Sequence, residues 1–346
     1  MESLKFSSKQ SWRVLVITLA GLVLCAWMVP LPTTWANEEG AERMRFGNGR
    51  VCSATAMAAL KACRFEVRDD LWTAVGACNN QTDAQARFRC LKEAGETFRE
   101  TYAECREQSD ARLEICDEIG EAAYDPQLDP ARFIDFEEVV DGGAFQPSPR
   151  FPLIPGSKWI YVTRDEEGHK TERIKVEVLA ETKEILGINC IVVRDRVWEF
   201  GEEGERELIE DTLDWYAQDL EGNVWYMGEI AKEYEDGDLV GLEGSWKAGR
   251  DLAKAGILMY AAPQDGQWYR QEFLLGEAED MAEVAGYLDT LTVRGTTYHD
   301  VLQTREFTPI EPDVLEYKYY APGIGVVLEE APEAGERVEL VRYQTP

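Results

Sequence analysis

The sequence predicts an α+β chain in separate domains: an N-terminal antiparallel helical hairpin clasped by disulfides, then an antiparallel β meander forming a barrel or half-barrel. Three observations predict it. Six cysteines fall at palindromic intervals inside a helix-patterned stretch. After a Pro/Gly-rich stretch the hydrophobic period changes from helical to alternating. Tight-turn sequences then recur between the alternating runs.

Residues 1–36 carry the pattern of a secretory signal peptide. Lys5, Lys9 and Arg13 precede an apolar run from Val14 to Val29. Pro30 and Pro32 end the run, and Thr34-Trp35-Ala36 offers small residues at the −3 and −1 positions of a cleavage site. Two alternatives stay open. The run is near the lower length for an uncleaved anchor, and Cys25 is a lipid-attachment candidate in which Leu24 stands where a small residue is usual. Residues 37–50 read as a flexible leader. No later segment is apolar enough to span a bilayer, so the mature chain is expected to be exported, to the periplasm or beyond, and not membrane-spanning.

The 346-residue chain has a net charge of −30. Cleavage after Ala36 removes three basic residues and one acid, leaving 33 Lys+Arg against 65 Asp+Glu. Such a surface repels phosphate backbones, which excludes nucleic acid as a partner class. Hydrophobics at 45% and aromatics at 10% place the chain among folded proteins despite the charge.

Residues 51–124 form the hairpin. They are rich in Ala, Leu, Glu and Arg, and lack Pro. Asn79-Asn80-Gln81 interrupts the pattern, and Thr82 with Gln85 three residues on reads as a capping box. Helices over about 51–78 and 83–122 follow, ended by Asp125-Pro126 and Asp129-Pro130. The cysteines sit at 52, 63, 78, 90, 105 and 116, with intervals of 11, 15, 12, 15 and 11. At about 100° per residue these spacings keep three cysteines on one face of each helix. Facing residues of an antiparallel pair have numbers with a constant sum, and one pairing satisfies this throughout: Cys52–Cys116, Cys63–Cys105 and Cys78–Cys90. Ala56, Ala59, Ala62, Ala77 and Ala94 are small enough for the close approach that disulfides need.

Residues 125–150, with Pro126, Pro130, Gly142-Gly143, Pro147 and Pro149, read as a linker. Residues 151–346 read as the acidic antiparallel β domain. Alternating runs flank turns at Asp165–Gly168, Gly201–Gly204, Leu220–Asn223 and Asp236-Gly237. The stretch 276–286 (GEAEDMAEVAG) reads as a helical insertion. An internal echo is also present. A Gly-started strand at 187–193 leads to a tyrosine-bearing hairpin at 215–226, and one at 295–302 leads to another at 319–327.

The stretches PLIPGSKWIYV (152–162), DWYAQDLEGNVWYMGE (214–229) and YKYYAPGIGVVLE (317–329), with RLEICDEIGEAAYDP (112–126) ahead of them, resemble an uncharacterised group of bacterial exported proteins over nearly the whole mature chain. That resemblance implies export and no defined activity. The YAPGIG element (320–325) is similar to elements in curved sheets of the lipoprotein-carrier type, which implies an acyl-chain carrier as one functional alternative.

Residues for chemistry are few. His169 lies beside a turn and His299 in a strand next to Asp300. No G-x-S-x-G, no C-x2–4-C and no C-x-x-C-H occurs, so no cofactor or zinc site is expected. Asp236 with Asp238, and Glu277 with Asp280, are weak calcium candidates, since neither follows the calcium-loop spacing. Trp215-Tyr216 and Trp225-Tyr226 are adjacent pairs, so one ring of each points to the core and the other to a surface where it could meet an apolar, carbohydrate or protein ligand. Cys190, the cysteine left over, is expected to be a buried free thiol. The reading is an exported non-enzymatic binding or scaffold protein. An apolar-ligand carrier and a carboxylate-dependent hydrolase are the alternatives.

Overall fold

The computed structural model describes residues 49–201 and 204–346. The expected signal peptide and nearly all of the leader lie outside them. Helices α1 (Val51–Asn79) and α2 (Ala84–Ile119) pair as the antiparallel hairpin. Disulfides join Cys52–Cys116, Cys63–Cys105 and Cys78–Cys90, with Cα separations of 5.6, 5.8 and 5.5 Å. The core between the helices is thin: Leu60, Val67 and Cys105 with Phe98 and Tyr102 against them. Two helices bury too little surface to hold together well, and the cross-links compensate by restricting the unfolded chain.

The helix ends differ from expectation in two details. The cap of α2 is Asp83, not Thr82: its Oδ1 accepts from the Ala86 N–H at 2.7 Å. The helix stops at Ile119 rather than near 122, because Gly120 takes φ +89°. Glu121 then ties off the open end of the hairpin. Its carbonyl accepts from the N–H groups of Val51 and Cys52, and its carboxylate accepts from that of Ser53 at 2.9 Å.

Residues 125–150 run along the β domain. They form a 3-10 turn (Pro130–Arg132) and the short helix α3 (Phe136–Val140). Phe136 is fully buried against Phe145, and Phe133 bridges to Asp219.

The β domain is one 16-stranded sheet among the described residues. Its strands are β1 (Lys158–Arg164), β2 (Lys170–Ile185), β3 (Ile188–Phe200), β4 (Arg206–Gln218), β5 (Val224–Ile230), β6 (Glu233–Glu235), β7 (Asp238–Gly241), β8 (Trp246–Lys247), β9 (Lys254–Met259), β10 (Trp268–Arg270), β11 (Glu272–Phe273), β12 (Met281–Val293), β13 (Thr296–Phe307), β14 (Leu315–Ala321), β15 (Gly325–Ala331) and β16 (Glu336–Gln344). The order is β10-β12-β13-β14-β15-β16-β1-β2-β3-β4-β5-β9-β11, with β6, β7 and β8 appended to the β4–β5 region. Two meanders, β1–β5 and β12–β16, are thus joined where β1 pairs with β16. Only Gln271 separates β10 from β11, so the two ends of the path lie side by side. The sheet curls round on itself, but no ladder joins its ends, and it is not closed.

The expected helix over 276–286 is not formed. That sequence is a turn followed by the start of β12, where Met281, Ala282 and Val284 are buried between β10 and β13. Ala, Glu and Met favour a helix locally, and burial in a two-sided ladder overrides that preference. The two-residue loops Leu186-Gly187 and Arg294-Gly295 both take positive φ at both positions, the backbone that matches the twist of a tight hairpin.

The hairpin docks over the seam. Arg112 of α2 makes a bidentate pair with Glu279, just beyond β11, at 2.6–3.1 Å, and both side chains are almost fully buried. Gln108 donates to the Ile310 carbonyl, and Tyr124 donates to the Ala255 carbonyl in β9, each at 2.8 Å. Arg270 of β10 lies over the rings of Tyr124 and of Phe273 in β11. Contacts from one hairpin therefore reach both edges of the open sheet.

Candidate functional site

Strand alternation sends every second side chain into the concavity of the curled sheet. Towards one end these are apolar: Trp159 and Tyr161 from β1, Ile174, Val176 and Val178 from β2, and Val338 from β16. The segment Phe151-Pro152-Leu153 covers that end, with Leu153 buried and Phe151 edge-on to Tyr216. On the strands that flank these, β3 and β4 on one side and β13 to β15 on the other, the inward residues turn ionisable: Asp195 in β3, Asp214 in β4, Glu306 in β13, Lys318 in β14 and Glu329 in β15. A cavity of about 220 Å³ lies between the apolar wall and the ionisable floor. Solvent reaches the floor, since the side chains of Lys318 and Glu329 keep 26% and 24% of their exposure.

Lys318 organises the second half of the floor. Its Nζ lies 3.0 Å from Glu306, 3.5 Å from Glu316 and 3.7 Å from Glu329. Glu306 also accepts from Thr304 at 2.7 Å and from the Tyr320 hydroxyl at 2.9 Å. Burial opposes charge on both partners. The carboxylates outweigh it and hold the ammonium well above its ordinary range, and Lys318, Thr304 and Tyr320 hold Glu306 below its own. Burial raises Glu329 to about 7 against the pull of Lys318.

The first half is built differently. Asp214 accepts from the Tyr226 hydroxyl at 2.7 Å, and burial raises its carboxyl to about 7. Glu229, opposite Asp214 in the β4–β5 ladder, is raised to about 9 by burial and by Asp214. Asp195 is raised well above its ordinary value by burial and then by Asp214. Its Oδ1 is enclosed and without a hydrogen-bond partner among the described residues. These three carboxyl groups, with Glu210 acting on each of them, have no base between them, and the cheapest response of such a group is to keep its protons.

The aromatic pairs divide between faces. Tyr216 lines the cavity and stacks on Tyr226 at 4.8 Å. Trp215 points the other way, beneath Lys183, and Trp225 donates to Asp219 at 2.9 Å and packs on Phe133. Of the calcium candidates, Asp236 and Asp238 sit on the β6–β7 turn, and Glu277 and Asp280 flank the turn before β12. The one metal-compatible group among the described residues is the half-buried Asp165 with the exposed Glu167 and His169. Its Asp165 and His169 are engaged with each other, at 3.3 Å. His299 is exposed in β13. Cys190 is a buried free thiol, pushed by burial up to about 12, and is not a nucleophile at neutral pH. The residues of the floor were not singled out from the sequence. A signal existed: Asp214 and Lys318 each stand two residues before the tyrosine of the two echoed hairpins.

Fold and site together define a curled, open antiparallel sheet with a small mixed cavity, its seam covered by a disulfide-bonded hairpin. No protein-family model and no curated protein matches the chain. Two solved structures show some likeness. A protein from Bacteroides fragilis, provisionally named an exported protein with a YmcC-like fold, aligns at TM-score 0.33 and 14% identity, over 57% of this chain and 100% of its own. A provisionally named lipoprotein from Parabacteroides distasonis aligns at TM-score 0.30 and 10% identity, over 58% of this chain and 100% of its own. Likeness at that level assigns no activity to this chain.

Proposed function

We propose that this is an exported binding protein, without catalysis of its own, that takes a small ligand between the two halves of its curled sheet. The observation that carries this reading is the cavity of about 220 Å³ with apolar walls and an ionisable floor. Ligand sites combine an apolar lining with a few converging polar groups in this way. Export is supported by the N-terminal signal pattern and by three disulfides, which persist in oxidising compartments. The cavity lies below the roughly 300 Å³ at which drug-sized pockets begin. Its charged floor would also be costly to cover with a hydrocarbon chain, which weighs against a long acyl chain.

A second reading, a carboxylate-dependent hydrolase, draws on one observation: Asp214 at about 7 is poised for proton transfer at neutral pH. Native mass spectrometry of protein purified from its own envelope tests the first reading. The expected result is a small co-purified mass, lost when Tyr216→Ala and Val176→Trp alter the cavity. A cavity-independent adduct, or turnover of ester or glycoside substrates abolished by Asp214→Asn, would displace it.

A further inference from the structure

The two meanders carry the same rungs. In the first, Val193 pairs with Asp214, which pairs with Glu229, and Ile191 pairs with Tyr216. In the second, Thr304 pairs with Lys318, which pairs with Glu329, and Leu302 pairs with Tyr320. One rung further, Asp195 faces Thr212 as Glu306 faces Glu316. The outer ladders bulge at the same step, between Trp215 and Tyr216 in one and between Tyr319 and Tyr320 in the other. Asp195, Asp214 and Glu229 therefore correspond to Glu306, Lys318 and Glu329. The second half reads carboxylate, ammonium, carboxylate. The first reads three carboxyl groups.

We propose that Asp195, Asp214 and Glu229 form a subsite for a primary ammonium group, and that the ligand is a small amine whose apolar body fills the adjoining cavity. This rests on the binding reading above. Lys318 shows that the scaffold accommodates an ammonium between the corresponding carboxylates, at 3.0 and 3.7 Å. The enclosed Oδ1 of Asp195 has no hydrogen-bond partner among the described residues, and an entering ammonium would ionise these protonated acids as Lys318 ionises Glu306, their protons passing to solvent. Glu272, 6% exposed and an electrostatic neighbour of Glu229, likewise leaves Oε2 without a partner among the described residues. The walls decide the rest of the ligand. Trp159, Ile174, Val176 and Val338 offer no oxygen to a hydrated metal ion but cover an alkyl or aryl group. An ammonium suits the floor better than a guanidinium, because the sister half already holds the compact, three-donor cation.

The test is calorimetric titration of the full mature protein with n-hexylamine, n-hexanol, n-hexanoate and calcium chloride at matched ionic strength. Hexylamine should bind about tenfold or more tighter than hexanol, with hexanoate weakest. Asp195→Asn and Asp214→Asn should each weaken hexylamine by about tenfold and leave hexanol unchanged. Asp214→Lys should reproduce the sister half: folded, with a raised melting temperature, and no longer binding hexylamine. Equal binding of amine and alcohol would overturn the ammonium subsite and leave the binding cavity standing. Failure of both probes would remove the cavity reading as well. Calcium binding that is lost in the same Asn variants would assign the floor to a divalent cation instead. Should Asp214→Lys not fold, the two Asn variants still decide the question.

Discussion

Asp214 and Lys318 occupy corresponding rungs of the two meanders, each two residues before a cavity-lining tyrosine and each opposite a glutamate, Glu229 or Glu329. One position is a carboxyl group and the other an ammonium, so two similarly folded halves present different groups to a common concavity.

Lys318 is the cation that makes its half of the floor tolerable. Lys318→Met should lower unfolding free energy by about 3 kcal/mol, since Glu306, Glu316 and Glu329 lose the charge between them. Adding Glu306→Gln should recover a good part of that loss. Urea unfolding reads both, and an additive double variant would show that the two side chains do not act as a pair.

Stability should peak on the acid side of neutrality. The folded chain holds Asp214 protonated to about pH 7, against an ordinary value of 3.8, so that stabilisation is complete below 3.8 and is lost as pH rises through 7. Glu177 behaves oppositely. Its hydrogen bonds from Lys158 and Lys175 lower it from 4.5 to about 2, so its contribution is complete above 4.5 and is lost as pH falls through 2. The melting temperature should therefore be about 5 °C or more higher at pH 4.5 than at pH 8. Asp214→Asn should narrow the gap. A maximum at or above pH 7 in thermal scans would contradict this account.

The seam contact should matter to the whole β domain. Arg112→Ala leaves the buried Glu279 carboxylate without its ion-pair partner and with the Gly276 N–H as its remaining hydrogen-bond donor, at a cost of about 3 kcal/mol. Arg112→Lys should rescue little, because a single ammonium cannot replace the bidentate fork. Hydrogen exchange should show the loosening in β9, β10 and β11 first. Loosening confined to the hairpin would mean that the seam holds without it.

The disulfide register has a direct chemical test. Non-reducing peptide mapping should return Cys52–Cys116, Cys63–Cys105 and Cys78–Cys90. Replacing Cys63 and Cys105 by Ala should cost about 2–4 kcal/mol of hairpin stability, less than removal of all three bridges. Recovery of a bridge within one helix, such as Cys52–Cys63, would break the antiparallel register.

The sequence by itself determined the hairpin and the class of the sheet. Palindromic cysteine spacing is a local, one-dimensional record of a two-helix contact, and the 3.6-residue period converts it into a pairing. Alternation and turn residues likewise record antiparallel strands, and the turns at Asp165–Gly168 and Asp236-Gly237 fall where those residues put them. The helix expected over 276–286 failed because composition reports local preference, while burial between β10 and β13 is a long-range matter. The floor of the cavity was settled by tertiary structure alone. Asp195, Asp214, Glu306, Lys318 and Glu329 are ordinary charged residues in an acidic chain until the β1–β16 pairing joins the meanders and the sheet curls. Only then do they line one cavity, where proximity and burial give them properties that no residue carries in its own sequence neighbourhood.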